Sequence, residues 1–242
     1  MLDPWKELRQ DCFGNVEPAI TLQSYTQPDA YGPATTESLP ALAASISYDS
    51  KLKSFEQAYN LNRKLIKMNH LTPLESVQFN FRVWGISKIC GAQMSRHRIG
   101  QGHISGSRRF RKQEVGFIYP TLDYIKTEDE VRSIYGVMSA GIQDAYERAE
   151  QLKQEVIGVK KSDARYLIPA STANERNWWI NARALRSFFQ LRLASDAEWE
   201  IRRIAFLILD SVMSVTPSLF EDIAEQFNKE TIQHEERNYR VR

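Results

Sequence analysis

The stretch from residue 76 to residue 113 most constrains what this chain can become, because it contains no acidic residue. It carries eight basic side chains, which are Arg82, Lys88, Arg96, Arg98, Arg108, Arg109, Arg111 and Lys112. Its centre joins the tripeptide Arg96-His97-Arg98 to a glycine-containing run, GQGH, at residues 100–103. Glycine lets backbone N–H groups approach a ligand closely, and arginine offers a planar fork that matches phosphate or carboxylate. The sequence therefore predicts a flexible loop that binds an anion.

Charge and composition narrow the classes of protein. The chain has 242 residues, 42% of them apolar, and a formal net charge of +2. A chain of this kind buries a sizeable core, and we expect a single domain. The near-balanced charge makes the basic stretch a local feature. An RNA-binding module that uses the arginine-rich loop with Phe110, Trp178 and Trp179 is an alternative of a different class, which the small overall charge disfavours.

The two cysteines, Cys12 and Cys90, are too few for a disulfide framework and indicate a reducing compartment. We expect Cys90 to be a small buried hydrophobe on a helix. There is no run of about eighteen apolar residues, and the start of the chain lacks the layout of a signal peptide. The histidines and cysteines show no metal-ligand spacing. We therefore predict a cytoplasmic protein with no membrane association and no metal.

Local patterns predict the elements of the first half. Five of the nine prolines lie in the first forty residues, so we expect an irregular arm over residues 1–42 with one short strand at 19–23. A helix is predicted at 51–68. Thr72, Pro73 and Glu75 form the signature of a capping box and helix start. Residues 77–83 alternate as a half-buried strand, and residues 86–94 repeat at helical spacing, so this helix should deliver Arg96 at its end.

The second half is predicted to be mainly helical. The patterns indicate a strand at 115–119, a long helix at 128–156, a shorter helix at 162–168 and an aromatic strand at 177–180. Helices are expected at 182–193, 196–213 and 217–227. Residues 228–242 are expected to form a charged tail.

One arginine is predicted on the apolar face of a helix. Leu185, Phe188, Phe189 and Arg192 share one face of helix 182–193. A buried guanidinium needs partners for its five N–H donors. Two interpretations are open: an ion pair with Asp196, or contact with a planar, oxygen-rich ligand such as a pyrimidine ring.

Three further polar residues lie near this arginine in the predicted elements. Arg183 and Ser187 fall on a neighbouring face of the same helix, and Arg165 lies upstream in the predicted helix 162–168. Each of them taken singly is more often a solvated surface residue.

The pattern resembles the flavin-dependent thymidylate synthase family. Its signature is Arg-His-Arg, two residues, Ser, four residues, Ser, one residue, Arg, and residues 96–110 here read RHRIGQGHISGSRRF. HLTPLE at 70–75 resembles the family block His-Glu-Thr-Pro-Phe-Glu, and Gln93 stands three residues before Arg96, as in the family. Residues 181–185, 191–192 and 196–201 resemble its C-terminal blocks in order and spacing. The resemblance covers roughly residues 43–227.

The loop departs from the family signature. Gln101 occupies the place of the first Ser. Without a gap, Gly106 takes the place of the second Ser and Arg108 closes the motif. With one extra residue, the family's Ser-x-Arg-Tyr corresponds to Ser107, Arg109 and Phe110. The second register also aligns the following strand, and we favour it.

Two other departures concern charged or titratable positions. The family's loop glutamate is missing, and His103 and Ile104 stand near its place. Asp196 replaces a family histidine that touches the flavin.

The resemblance implies a fold and a chemistry. The fold is α+β, with a central, mostly antiparallel sheet flanked by helices in one catalytic domain (43–227), which assembles as a homotetramer with active sites between subunits. FAD reduced by NADPH supplies hydride to C6 of a uracil ring, methylenetetrahydrofolate supplies the carbon placed on C5, and dUMP becomes dTMP. No cysteine attacks the pyrimidine. Methylation or hydroxymethylation of UMP or a modified precursor is an alternative that the altered loop motivates, and an inactive paralogue is another. No nucleic acid is implied as a partner.

The resemblance also implies site residues. Arg192 would be catalytic, because it faces the carbonyl edge of the uracil and stabilises developing negative charge. The substrate would be held by Gln93, Arg96, Ser107, Arg108, Arg109, Arg165 and Arg192. The flavin would be contacted by Ser47, His70, Thr72, Glu75, Arg96, His97, Arg98, Ile99, Asn181, Arg183, Ser187 and Leu191.

Overall fold

The computed structural model describes residues 16–28, 35–47, 51–106, 116–119, 128–155 and 165–227. Over these residues the chain is α+β, with a four-stranded antiparallel sheet and seven α-helices. The strands are β1 (Ala19–Tyr25), β2 (Gln78–Ile86), β3 (Gln101–Ser105) and β4 (Asn174–Asn181). The helices are α1 (Leu39–Ile46), α2 (Phe55–Lys67), α3 (Lys88–Met94), α4 (Glu128–Glu155), α5 (Ala182–Arg192), α6 (Trp199–Met213) and α7 (Glu221–Gln226).

One face of the sheet forms the floor of the core. The strand order is β1-β2-β4-β3. Alternate residues of a strand point to opposite faces, and the register places Phe79 opposite Ile180 and Phe81 opposite Trp178. These four side chains are 0% exposed. The sequence alternation therefore gives one apolar face of the sheet, against which helices pack.

Helices α5 and α6 cover that face. Phe188 and Phe189 of α5 and Ile204 of α6 are 0% exposed, and the rings of Phe188 and Trp178 lie 5.1 Å apart. Full burial of a side chain of this size is worth about 1.5–3 kcal/mol. The packing holds α5 against β4, and this places the polar side of α5 at the edge of the core.

Helix α3 is anchored where it begins. The Ser87 hydroxyl accepts a hydrogen bond from the Cys90 N–H at 3.0 Å, and Glu200 of α6 accepts from the Ser87 N–H at 2.6 Å. Burial raises the pKa of Glu200. Cys90 is 1% exposed, as predicted. Because its first turn is held by α6, α3 leads the chain in a defined direction towards Arg96.

Most predicted elements are confirmed. The strands at 19–23, 77–83 and 177–180 and the helices at 51–68, 86–94 and 182–193 correspond to β1, β2, β4, α2, α3 and α5. The predicted helix at 196–213 begins only at Trp199. The long helix corresponds to α4, Glu128–Glu155. The last predicted helix is divided at Phe220 into a 3-10 turn, Pro217–Leu219, and α7.

The glycine-containing run was predicted as a flexible loop, and this was wrong. Residues 101–105 form β3, which pairs with β4. The glycines make room for neighbours. Gly100 has φ +68°, and a Cβ there would lie 2.5 Å from the Asn181 amide nitrogen. A Cβ on Gly102 would lie 2.5 Å from the Trp179 ring. They serve packing between the strands within this chain.

The predicted capping box at residues 72–75 is also wrong. Thr72–Ser76 is a 3-10 turn whose N-cap is Leu71, with no side-chain cap. Glu75 instead accepts a hydrogen bond from Arg183 at 2.6 Å. A long-range ion pair has replaced the local bond.

Three other predicted segments differ. Residues 39–42 of the predicted irregular arm belong to helix α1, and β1 is an edge strand of the main sheet. Of the predicted strand at 115–119, residues 116–119 are described, and among them Phe117 forms an isolated antiparallel bridge with Thr172. Of the predicted helix 162–168, the described part is a 3-10 turn, Arg165–Leu167. The predicted tail lies outside the described residues. In the described ranges, no helix has the length and apolar character needed to cross a membrane.

Candidate active site

A cleft of about 350 Å³ opens beside the start of α5. Three segments form it: the 3-10 turn that contains Glu75, the chain that follows α3, and the first half of α5. Its lining residues are Glu75, His97, Arg98, Ile99, Asn181, Arg183, Ala184 and Ser187. It combines two arginines with an isoleucine that is 90% exposed. A cleft with this lining suits a ligand that has both an apolar part and an anionic part.

Asn181 holds the two sides of the cleft together. Its Oδ1 accepts a hydrogen bond from the Ala184 N–H at 2.8 Å, which caps α5. Its own N–H donates to the Gly100 carbonyl at 2.8 Å. The positive φ of Gly100 lets the chain pass directly under the Asn181 side chain. The loop after α3 is therefore fastened to the start of α5.

An ion pair crosses one end of the cleft. Arg183 Nη1 lies 2.6 Å from Glu75 Oε1 and 3.5 Å from the Thr72 hydroxyl. Both charged side chains are nearly half exposed (48% and 45%), so the pair adds little to stability. Its partners are consequently free to exchange with a ligand at low cost.

Arg192 at the end of α5 forms a hydrogen bond with His97. Arg192 Nε donates to His97 Nε2 over 3.0 Å, and the His97 ring meets the Phe188 ring edge-on with centroids 5.0 Å apart. Burial, and then the Arg192 charge, lower the pKa of His97 to about 4. The imidazole is therefore neutral at physiological pH and carries its proton on Nδ1. In the described structure Asp196 forms no ion pair with Arg192, so that interpretation is wrong.

A second polar cluster lies beneath β3 and β4. Arg176 is 5% exposed, and its Nη1 donates to the Ser95 hydroxyl at 3.0 Å. The Ser95 hydroxyl donates to the Gly91 carbonyl at 2.9 Å and lies 3.3 Å from His103 Nε2. Because the single hydroxyl proton goes to Gly91, His103 must donate from Nε2. The cluster fastens Ser95, the last residue before Arg96, to the sheet.

Comparison with known proteins decides the family. The family model described as thymidylate synthase complementing protein matches residues 31–218. The flavin-dependent thymidylate synthase of Clostridium tetani is 30% identical in an alignment of 203 positions, which covers 76% of this chain and 81% of that protein. The chain belongs to the flavin-dependent thymidylate synthase family.

Two further members of the family are similar over comparable lengths. The flavin-dependent thymidylate synthase of Sulfurisphaera tokodaii is 31% identical over 201 residues, covering 83% of this chain and 76% of that protein. The one from Sulfolobus acidocaldarius is 34% identical over 192 residues, covering 76% and 71%.

The structure of this flavin-dependent thymidylate synthase family member brings together most of the residues predicted to contact flavin. Seven of the eight cleft residues belong to that predicted set, and Ala184 is the addition. Thr72 reaches the cleft through Arg183. Ser47, His70 and Leu191 are exposed and lie outside the cleft lining. The roles of these residues remain predictions.

The residues predicted to bind nucleotide are less completely described. Gln93 is half-buried on α3, and its Oε1 has no hydrogen-bond partner within the described ranges. Arg96 is exposed directly after α3, and Arg165 begins a 3-10 turn. Ser107, Arg108 and Arg109 lie outside the described residues. The described ranges contain no group of three or more His, Cys, Asp or Glu side chains that could hold a metal ion.

Sequence reasoning missed the cluster of Arg176, Ser95 and His103. A signal for it exists: Arg176 lies two residues before Trp178, so in a strand both face inward. A charge at an inward position indicates a buried polar contact. The predicted strand began at residue 177 and left Arg176 out.

Proposed function

We propose that this protein catalyses the flavin-dependent C5 methylation of dUMP to dTMP, with FAD as cofactor, NADPH as reductant and methylenetetrahydrofolate as carbon donor. One observation supports this most: a single cleft gathers, from three separate segments, seven residues that the family resemblance assigns to flavin. Family membership supports an enzyme of this kind.

The residues of the cleft fit part of an FAD. Ile99 and Ala184 offer apolar surface for a ring, and Arg98 and Arg183 offer guanidinium groups for a pyrophosphate. Asn181 and Ser187 supply hydrogen-bonding groups. A dinucleotide exceeds a cleft of about 350 Å³, so the cleft would hold one portion of it. A reduced flavin bound there supplies a hydride, while the protein contributes orientation and electrostatics.

The nucleotide would be held mainly by arginines. Arg96 and Gln93 at the end of α3 would bind phosphate and sugar, with Ser107, Arg108, Arg109 and Arg165 completing this set. Arg192 would donate to a carbonyl of the uracil and stabilise negative charge as it develops on the ring. A preorganised donor of this type lowers a barrier by about 3–4 kcal/mol.

The assembly we propose is a homotetramer in which active sites form between subunits. Ile99 (90% exposed) and Leu191 (60% exposed) are apolar side chains near the cleft that a flavin or a neighbouring subunit would cover. The catalytic domain would be residues 43–227, between an arm (1–42) and a tail (228–242). Light scattering of the purified protein tests the tetramer. A cytoplasmic location, indicated by the two cysteines, stays a prediction.

The decisive experiment combines a spectrum with an assay. Purified protein supplied with FAD should be yellow, and its visible spectrum should change when dUMP is added. With NADPH and methylenetetrahydrofolate it should release tritium from dUMP labelled at C5. UMP and dCMP are the matched substrates. A preparation that takes up no flavin, or that prefers UMP or dCMP, contradicts the proposal.

A further inference from the structure

Helix α5 carries three arginines, and one of them has an unusual partner. Arg183 is paired with Glu75, and Arg186 with Asp222 at 2.5 Å. Arg192 is bonded to the neutral imidazole of His97. A carboxylate partner neutralises a guanidinium and takes two of its N–H groups in a bidentate pair. An imidazole takes one and leaves the charge in place.

The bond to His97 uses the Nε–H of Arg192 and leaves its outer edge available. In the part of the chain that the structure describes, Arg192 makes no other hydrogen bond to the protein. Its two Nη groups therefore present a planar pair of donors to a ligand. Arg192 is half-buried, so the guanidinium is accessible and partly screened from water.

His97 is itself held from two directions. Its backbone N–H donates to the Met94 carbonyl at 3.3 Å at the end of α3, and its ring packs edge-on against Phe188. Phe188 is 0% exposed and lies one helical turn before Arg192 on the same face of α5. The imidazole is consequently wedged between α3 and α5, with Nε2 directed at Arg192.

We propose that His97 is a positioning residue: it accepts the Arg192 Nε–H and thereby aims the two Nη groups at the oxygens of the pyrimidine. This inference rests on the proposed function and adds a role for His97 other than flavin contact or acid–base catalysis. A misplacement of about 1 Å at a reacting group costs about a hundredfold in rate.

The protonation state agrees with this role. Nε2 accepts a hydrogen bond only while the ring is neutral, and the lowered pKa of His97, about 4, keeps it neutral. Arg192 is the charge in contact with the ring, and Glu75, Arg98 and Arg183 are the other charged groups that line the same cleft.

Two variants of His97 distinguish the effect of its hydrogen-bond acceptor from the effect of its imidazole ring. Gln places an amide oxygen near the position of Nε2, whereas Leu removes the acceptor. We expect His97→Leu to lower kcat by about 10–100-fold, with a smaller change in KM for dUMP, and His97→Gln to recover most of the loss. His103→Gln is the matched control, since His103 is the other part-buried histidine among the described residues and lies outside the cleft lining. If His97→Gln is as poor as His97→Leu, the proposal is wrong.

A double-variant cycle tests whether His97 acts through Arg192. Arg192→Lys removes the Nε–H donor, so His97→Leu should cost nothing further in that background, in turnover and in dUMP affinity alike. An equal loss in both backgrounds overturns the proposal. So does a His97→Leu protein that turns over normally once FAD is saturating, because that result reduces His97 to a flavin contact.

A third measurement does not need turnover. In histidine ¹⁵N spectra of the full chain, His97 should show the Nδ1–H tautomer with an accepting Nε2, and its Nε2 signal should shift in Arg192→Lys. A wild-type Nε2–H tautomer refutes the bond. Failure of the proposed function gives a different result, because the protein then lacks dUMP turnover or bound flavin. The His97 tautomer, and the double-variant cycle measured on dUMP affinity, would still test the contact between His97 and Arg192.

Discussion

Arg192 and Arg176 both lack a carboxylate partner among the described residues, yet their surroundings differ. Arg192 is half-buried at the end of α5 and donates to His97 beside the cleft. Arg176 is 5% exposed within β4 and donates to Ser95 beneath the sheet. Burial lowers the pKa of Arg176.

The difference between them is access. The Nε–H of Arg176 is buried without a partner, so no ligand reaches it in this conformation, and the residue acts on its neighbours in the fold. Arg192 is half-buried, and its two Nη groups have no hydrogen-bond partner in the part of the chain that the structure describes. The same residue type therefore fastens an element in one region and, in the proposed function, donates hydrogen bonds to a ligand in the other.

The largest expected effect is a difference in dUMP turnover between variants of the two arginines. Arg192→Met should reduce dUMP turnover by about 10²–10³-fold, because it removes the donors proposed to stabilise charge on the ring. Arg176→Met should reduce turnover much less, since its hydrogen bond ends at Ser95 inside the fold and reaches Arg96 only through the backbone. Single-turnover tritium release with FAD-saturated proteins measures both. Equal losses in the two variants would show that Arg176 also serves the reaction.

The second prediction concerns two glycines, one next to Asn181 in the cleft and one next to Arg176. Gly100→Ala should destabilise the protein by about 2–3 kcal/mol, because Ala is strained at φ +68° and its Cβ displaces Asn181 from the cap of α5. Gly91→Ala should change stability by less than about 1 kcal/mol. Its Cβ would lie 3.0 Å from Arg176 Nη2, the end of a flexible side chain, and Ala is the better helix former. Urea unfolding checks both, and similar losses would mean that Arg176 is as rigidly held as Asn181.

The third effect compares Arg176 with an arginine that has a carboxylate. Arg186→Met should cost about 2 kcal/mol, because it leaves the buried Leu219 carbonyl without its bond at 2.6 Å and Asp222 without its partner. Arg176→Met should cost about 1 kcal/mol or less, since one hydrogen bond is lost and a buried charge is removed with it. Chemical unfolding of the two variants measures the difference. A larger loss for Arg176→Met would reverse this ranking.

Helical periodicity predicted the face of α5 well but gave no indication of strand β3. The spacing of Leu185, Phe188 and Arg192 predicted a helix face that mixes core and site, because such a face depends only on residues close in sequence. Strand β3 could not be predicted in this way. Its glycines show no apolar alternation, and their place depends on Trp179 and Asn181 of another strand.

The partners of the site residues depend on tertiary structure. Arg192 and His97 are 95 residues apart, and local patterns offered only Asp196, one turn away, as a partner. The cleft residues were predicted from the family resemblance, which transfers positions but not hydrogen bonds. The neutral imidazole as a partner for Arg192 therefore emerged only from the three-dimensional arrangement.

The smallest expected effect is a change in the pH dependence of stability, which depends on the histidine near each arginine: His97 near Arg192 and His103 near Arg176. Burial, and then Arg192 or Arg176, lower the pKa values of His97 and His103 respectively. A histidine with a lowered pKa in the folded state contributes stability above its unfolded value of 6.5, and this contribution is lost as the pH falls. For His97 the loss should extend from pH 6.5 to about 4.

Unfolding at a series of pH values in this range should show that His97→Gln removes part of the acid destabilisation of the wild type. The change in slope should be below about 1.4 kcal/mol per pH unit, the limit for one proton, because His97 is half-buried. His103→Gln is the matched control and should change the slope less, since the His103 ring is more open to solvent and burial therefore lowers its pKa less. If His97→Gln keeps the wild-type slope, His97 does not titrate with a lowered pKa and is not held neutral beside Arg192. The comparison with Arg176 would then have to drop the neutral imidazole as the partner of Arg192.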